Sequence, residues 1–204
     1  MSLSTLILWR HGETEYNLAG RMQGHIDAEL TDTGIRQARV GAAALRRFEP
    51  GVIVASDLRR AADTANVLGT EIGVPVSLDK RLRETHLGTW QGSTSAEIER
   101  DSPVDRERWR VDPTFAPPGG ESRIDVADRA TEVVVGLLRQ GEQAPPTALL
   151  AAHGGVITAL TARLVGFDLE SWAALGGIDN CHWVQLTRWA QRWRLRVYNA
   201  GVAE

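Results

Sequence analysis

Leu6-Ile7-Leu8-Trp9-Arg10-His11-Gly12-Glu13-Thr14 begins with four apolar residues and turns polar at once. An apolar run of that length, bounded by charge and glycine, reads as a buried β-strand that ends on a histidine. The same grammar returns far down the chain, where Ala148-Leu149-Leu150-Ala151-Ala152 runs into His153-Gly154-Gly155. Between them, Val52-Ile53-Val54-Ala55 and Val74-Pro75-Val76-Ser77-Leu78 are two more short apolar runs, and helix-like stretches separate the four. Ile35, Ala38, Ala42 and Leu45 recur on one face of a helix begun by Thr31 or Asp32. A second helix runs over about 58–72, with Ser56 or Asp57 as its cap and Gly73-Val74-Pro75 as its stop. Strands alternating with helices predict an α/β fold: a mostly parallel central sheet with helices on both faces.

The rest of the chain fits around that frame. Residues from about 84 to 120 break the alternation, first with the charged run Glu97-Ile98-Glu99-Arg100-Asp101 and then with Pro and Gly from 113 to 120. They read as a partly helical excursion beside the sheet. Helical periodicity resumes from about 125 to 138, a loop follows to 146, and residues 181–186 and 192–197 read as two late strands joined by a turn near 189–191. With 204 residues and 43% hydrophobic content, the expectation is one domain spanning 1–204.

Composition excludes several classes. A net charge of -3 leaves no global basic surface, so no nucleic-acid partner is expected. The one cysteine, Cys181, rules out an internal disulfide framework and a multi-cysteine zinc site, and reads as a small buried hydrophobe. Arg10 and His11 interrupt the first apolar run too early for a signal peptide or a membrane span. A cytoplasmic protein without a membrane partner is expected.

In an open parallel sheet, ligands bind beyond the carboxyl ends of the strands, where helix N-termini and loop amides converge. Four segments lie there: Arg10-His11-Gly12, Ser56-Asp57-Leu58-Arg59-Arg60, Arg81-Leu82-Arg83-Glu84 and His153-Gly154-Gly155. A dianionic phosphoryl group wants forked, permanently charged donors, which Arg10 and Arg60 supply. A neutral imidazole at His11 is a competent nucleophile towards phosphorus, and Gly12 lets the backbone approach closely. Glu84 is the carboxyl available to protonate the leaving alkoxide and then to activate water. No metal or cofactor is required. Taken singly, each histidine reads as structural, Glu84 as a surface charge, and Arg60 as a partner of Asp57 or Asp63. Their placement at successive strand ends favours one shared phosphate site.

These segments resemble the histidine phosphatase superfamily, the phosphoglycerate mutase-like group, with its three-layer α/β/α fold. The match covers Leu8 to Thr14, Ser56 to Ala61, Leu82 to Gly88 and His153 to Gly155, in the expected order. The resemblance implies a phosphatase with His11 as phosphoryl acceptor, Arg10, Arg60 and His153 as phosphate ligands, and Glu84 as proton donor. Asn17, Gln23 and Gly154 then match substrate-binding positions. Arg21-Met22-Gln23-Gly24-His25-Ile26-Asp27, Pro118-Gly119-Gly120-Glu121-Ser122-Arg123 and Trp172-Ala173-Ala174-Leu175-Gly176-Gly177-Ile178-Asp179-Asn180 are similar to the branch that hydrolyses glucosyl-3-phosphoglycerate. That likeness implies a homodimer, a phosphorylated small-molecule substrate and a place in methylglucose lipopolysaccharide synthesis.

Three rival readings remain: a cofactor-dependent phosphoglycerate mutase, a broad-specificity phosphatase, and a non-catalytic phosphate-binding protein. The mutase segment Tyr-Gly-x-Leu-x-Gly is absent after Glu84, where Thr85-His86-Leu87-Gly88-Thr89-Trp90 stands instead. Arg100, Arg106, Arg108 and Arg110 in the excursion read either as a solvated helix face or as ligands for a substrate carboxylate. Most of the seven tryptophans read as core packing; Trp90, Trp109, Trp172 and Trp183 are the candidates for a sugar-binding wall, and Trp90 and Trp109, in the excursion over the strand ends, are the two to test for substrate contact.

Overall fold

Leu6 and Leu8 face one side of the first strand and Ile7 and Trp9 the other, and all four are fully enclosed. A strand buried on both faces belongs at the centre of a covered sheet. The computed structural model describes residues 2–202. In chain order it contains β1 (Thr5–Arg10), α1 (Glu15–Leu18), α2 (Asp32–Leu45), β2 (Val52–Ala55), α3 (Arg59–Ile72), β3 (Val76–Leu78) and α4 (Ser95–Asp101). Then come α5 (Pro103–Val111), α6 (Arg123–Arg139), β4 (Thr147–Ala152), α7 (Gly154–Val165), β5 (Trp183–Trp189) and β6 (Arg192–Ala200), with short 3-10 turns between several of them. Of the expected span 1–204, Met1, Ala203 and Glu204 lie outside the described residues.

The sheet order is β3-β2-β4-β1-β5-β6. β1 to β4 run parallel, and β5 is antiparallel to both β1 and β6, so the mostly parallel sheet read from the sequence is what forms. Helices α6 and α7 pack Val126, Ala130, Val134, Val156 and Leu160 against Leu6 and Leu8. Helices α2 and α3 pack Ala38, Ala42, Leu45, Ala65 and Leu68 against Ile7 and Trp9. Three layers result. Among the described residues no helix is long and apolar enough to cross a membrane.

Several boundaries differ from the sequence reading, each for a local reason. α2 buries Gly34, Ala38, Gly41, Ala42 and Leu45, and Ile35 sits at its edge instead of in the buried face. α6 starts at Arg123, two residues early, because Ser122 and Asp125 form a reciprocal capping box. β3 begins only at Val76, since Pro75 has no N–H for a ladder. Neither Ser56 nor Asp57 caps α3: the N-cap is Leu58, Ser56 turns its hydroxyl to His153, and Asp57 is held by Arg83. Cys181 does not start β5. Its φ of 56° puts it in a left-handed turn, and the strand begins at Trp183.

The excursion is helical where expected. Thr94 and Glu97 form a capping box at the start of α4, and Pro103 occupies the first turn of α5. Leu87, Trp90 and Ile98 make a small separate core there, joined by Met22, Trp109 and Phe115.

Candidate active site

Strand register alone brings the two histidines together. Arg10 of β1 pairs with Ala152 of β4, so His11 and His153 each stand one residue past the ends of adjacent parallel strands. Ala55 of β2 pairs with Ala151, which sets Ser56 on the far side of His153. The histidine rings lie 5.1 Å apart between centroids. Both are buried, His11 at 2% exposure and His153 at 0%.

Each imidazole is held in a definite orientation. His11 Nδ1 lies 2.7 Å from its neighbour's carbonyl, Gly12 O. A carbonyl only accepts, so the proton is on Nδ1 and Nε2 keeps its lone pair. The His11 carbonyl is braced by Asn180 Nδ2 at 3.0 Å and by the Cys181 N–H at 3.2 Å. Burial, and then the charges of Arg10 and Arg60, push the His11 pKa well below its ordinary value, so the ring is neutral. Burial lowers His153 in the same way. His153 Nε2 is 2.9 Å from Ser56 Oγ, and that oxygen accepts the Leu58 N–H at 3.2 Å. The pairing that uses the serine proton has Ser56 donating to Nε2, which leaves the unpartnered Nδ1 of His153 as a donor.

The arginines supply positive charge, fully buried at Arg60 and half-buried at Arg10, with no salt-bridged acid among the described residues. Arg60 is at 0% exposure, and its terminal nitrogens donate to Ile26 O at 2.8 Å and Gly24 O at 2.9 Å. Burial lowers its pKa to about 10. Arg10 donates to Ile178 O, and burial lowers its pKa also. Among the described residues neither guanidinium has a salt bridge, and the Nε of each has no partner. The sequence reading left Arg60 open to pairing with Asp57 or Asp63. Instead Asp57 takes a two-pronged bond from Arg83, at 2.7 Å on each prong, and Asp63 pairs with Arg59. A charge taken out of water without a counter-ion is unfavourable by several kcal/mol, so a pair of them marks a site shaped for an anion.

Glu84 completes the rim. Its Oε1 accepts the Thr85 N–H at 2.8 Å, and its Oε2 accepts the Gly155 N–H at 3.2 Å, at the N-terminal turn of α7. A Cβ at Gly155 would come within 2.5 Å of Oε1, so glycine is what lets the carboxylate reach the helix. Arg10, Glu84 and Gly154 line one cleft of about 330 Å³, whose outer wall includes Trp109, Arg123, Trp172 and Gly176. A larger hollow of about 740 Å³, bounded by Thr33, Arg36, Val40, Asp179 and His182, lies behind Cys181 and is lined by neither Arg10 nor Glu84. The chemistry belongs to the smaller one.

Arg10, His11, Arg60, Glu84, His153 and Gly154 are therefore gathered at one place, as their positions at strand ends suggested. Asn17 Oδ1 is engaged by Thr14 and by Asn180, so only its amide N–H groups remain for a ligand. Gln23 is buried beside Gly24, with Oε1 unpartnered. Trp109 lines the cleft, whereas Trp90 is packed into the small core of the excursion. Trp172 lines the cleft as well, and Trp183 lies in the core under α2.

The sequence reading missed the supports. Ser56 orients His153, Asn180 braces the His11 carbonyl, and Thr64 accepts the Gly12 N–H at 3.1 Å while donating to Arg60 O at 2.7 Å. Thr64 was findable, being one turn beyond Arg60 on a helix face that its hydroxyl shares. Arg129 donates to the Glu84 carbonyl at 2.9 Å, and His25 does so at 2.7 Å, so both hold the backbone that carries the Glu84 carboxyl.

A model of the histidine phosphatase superfamily (branch 1) matches residues 6–201. The chain belongs to the histidine phosphatase superfamily. Within it, glucosyl-3-phosphoglycerate phosphatase of Mycolicibacterium vanbaalenii is 47% identical over 98% of this chain and 96% of that protein. The protein of the same name from Mycobacterium tuberculosis is 46% identical over the same shares. A solved structure of mycobacterial glucosyl-3-phosphoglycerate phosphatase complexed with VO3 superposes with a TM-score of 0.93 at 48% identity, covering 97% of this chain and all of that one. The matched span contains both His11 and His153, the pair that the β1–β4 register sets side by side.

Proposed function

We propose that this chain is a metal-independent phosphomonoesterase working through a phosphohistidine at His11, and that its substrate is glucosyl-3-phosphoglycerate. The observation that carries the reaction is a neutral imidazole, its Nδ1 proton committed to Gly12 O, set beside the Arg10 and Arg60 guanidinium groups, neither of which is in a salt bridge among the described residues. The likeness of nearly the whole chain to glucosyl-3-phosphoglycerate phosphatases supports the substrate.

The steps balance with protein groups alone. Arg10, Arg60 and the Nδ1–H of His153 hold the phosphoryl oxygens, and their charge meets the charge that develops in the transition state. His11 Nε2 forms the N–P bond as the ester P–O bond breaks. The Glu84 carboxyl gives its proton to the departing alkoxide, and glucosylglycerate leaves. The Glu84 carboxylate then takes a proton from water, the hydroxide oxygen bonds to phosphorus, and the N–P bond breaks. Phosphate leaves, His11 is neutral again and Glu84 is protonated again. Asn17, Gln23 and the Gly154 amide contact the substrate. Residues 1–204 form one domain in this reading, and the homodimer carried over from the resemblance is tested by light scattering of the purified chain.

Rapid-quench measurement of phosphate release, with isolation of acid-labile phosphoenzyme, tests the proposal. Glucosyl-3-phosphoglycerate is expected to be turned over faster than its mannosyl analogue or 3-phosphoglycerate, with phosphohistidine labelling lost in His11→Ala. Isomerisation of 3-phosphoglycerate without phosphate release would establish the mutase instead. Equal rates on all three substrates would leave a broad phosphatase, and no release from any monoester would leave a binding protein.

A further inference from the structure

Of the four excursion arginines, three are spent on acids. Arg100 pairs with Asp101, Arg108 with Asp112, and Arg110 with both Glu99 and Glu107, all at the surface. Arg106 is different. It is only 8% exposed, has Ser95 Oγ as its one hydrogen-bond partner at 3.2 Å, and leaves Nε and Nη1 without partners. Its guanidinium stacks on the Trp109 ring at 4.9 Å. Arg123, from the first turn of α6, stacks on the same ring at 4.7 Å and lines the cleft that holds Arg10 and Glu84. Among the described residues its one side-chain hydrogen bond is to a carbonyl, Arg110 O, and it has no acid partner. Burial and the like charge of Arg106 both lower its pKa. Two like charges have thus been drawn onto one indole, half out of water, with the neighbouring Glu99 and Glu107 hydrogen-bonded to Arg110 instead.

That arrangement is unfavourable unless something negative arrives. The phosphoryl group cannot be that partner, because Arg10, Arg60 and the histidines already receive it. We propose that Arg123, backed by Trp109 and Arg106, is the ligand for a second anion, the carboxylate of a phosphorylated hydroxy acid. In glucosyl-3-phosphoglycerate the carboxyl carbon is four bonds from phosphorus, so one molecule presents both anions to one cleft. Arg123 is then a specificity-determining residue, selecting phosphomonoesters with a carboxylate close to the ester. Its forked donors suit a carboxylate, and the indole face holds the fork in plane. The inference rests on the phosphatase reading and deepens it.

The test compares three substrates in wild type, Arg123→Gln and Arg123→Lys: glucosyl-3-phosphoglycerate, its analogue with the carboxylate replaced by a primary amide, and p-nitrophenyl phosphate. Wild type is expected to prefer the carboxylate to the amide by about thirtyfold in kcat/KM, the usual effect of unpairing a buried charge. Arg123→Gln should lose that preference, chiefly through KM, and its loss on the carboxylate substrate should exceed its loss on the aryl phosphate at least tenfold. Arg123→Lys should restore part of the preference. Equal losses on all three substrates in Arg123→Gln, or no preference for the carboxylate in wild type, would overturn the proposal even if wild type hydrolyses all three. No hydrolysis of any of them by wild type would instead overturn the phosphatase reading.

Discussion

At the scale of single residues, His11 is chemically useful because it is neutral, and that neutrality has a measurable consequence. Burial and two nearby arginines hold its pKa far below the ordinary value of 6.5. In the unfolded chain the ring takes up a proton below that value, and in the native site it does not. The unfolded state therefore binds more protons as pH falls, and the native state loses stability. The support His11 gives to the fold is present above pH 6.5 and declines below it, by up to about 1.4 kcal/mol per pH unit for one proton. Carboxylates such as Asp57, held below its usual 3.8 by Arg83, contribute only at lower pH. Urea unfolding between pH 5 and 6.5, in a buffer without phosphate, should therefore show a slope that His11→Gln reduces by about one proton's worth. The same slope in both proteins would mean that the ring titrates normally in the native site.

At the scale of elements, two glycines do different work. Gly155 is in the first turn of α7, where an added Cβ meets Glu84 Oε1 at 2.5 Å and Thr85 Oγ1 at 2.8 Å, the free ends of side chains. Gly34 is in the first turn of α2, where a Cβ falls on the backbone carbonyl of Glu13, which cannot swing aside. Gly155→Ala should leave unfolding stability within about 1 kcal/mol, since alanine is also the better helix former. It should slow alkyl phosphate hydrolysis by about a hundredfold, because Glu84, the proton donor in the proposed mechanism, is displaced. An aryl phosphate, whose leaving group needs no proton, should be much less affected. Gly34→Ala should instead lose about 1–3 kcal/mol of stability by overpacking. Stability losses reversed between the two variants would refute this division. These elements were legible in the sequence because period and punctuation agree: apolar runs gave β1, β2 and β4, and Gly73, at φ 71°, ended α3 where expected. What was not legible depends on distant partners. Nothing near Ser56 announces that its hydroxyl will be taken by a histidine 97 positions later.

At the scale of the molecule, the sheet order is the step that local patterns do not contain. β4 inserts between β1 and β2, and only that pairing sets His153 beside both His11 and Ser56. Strand ends named the residues that cluster because a parallel sheet sends all its carboxyl ends to one rim. The sequence named Arg106 among four arginines but could not single it out, nor point to Arg123, because their lack of a salt-bridge partner arises from folding of the excursion over that rim. The same logic makes the charge of the site a property of the whole fold. With Arg60 buried, Arg10 half-buried and neither in a salt bridge among the described residues, burial outweighs the nearby carboxylates and lowers the pKa of both, a penalty that an oxyanion relieves. Binding to the native state alone adds stability as RT ln(1 + [L]/Kd), about 2.7 kcal/mol at a hundred times Kd. For a chain of this length that raises the melting temperature by about 5–10 °C. Thermal melts in inorganic phosphate, against sodium chloride at equal ionic strength, should show this rise in wild type. Arg60→Gln should show little of it while melting higher than wild type in chloride alone, because the buried charge is gone. A phosphate-dependent rise of the same size in Arg60→Gln would show that the anion binds elsewhere.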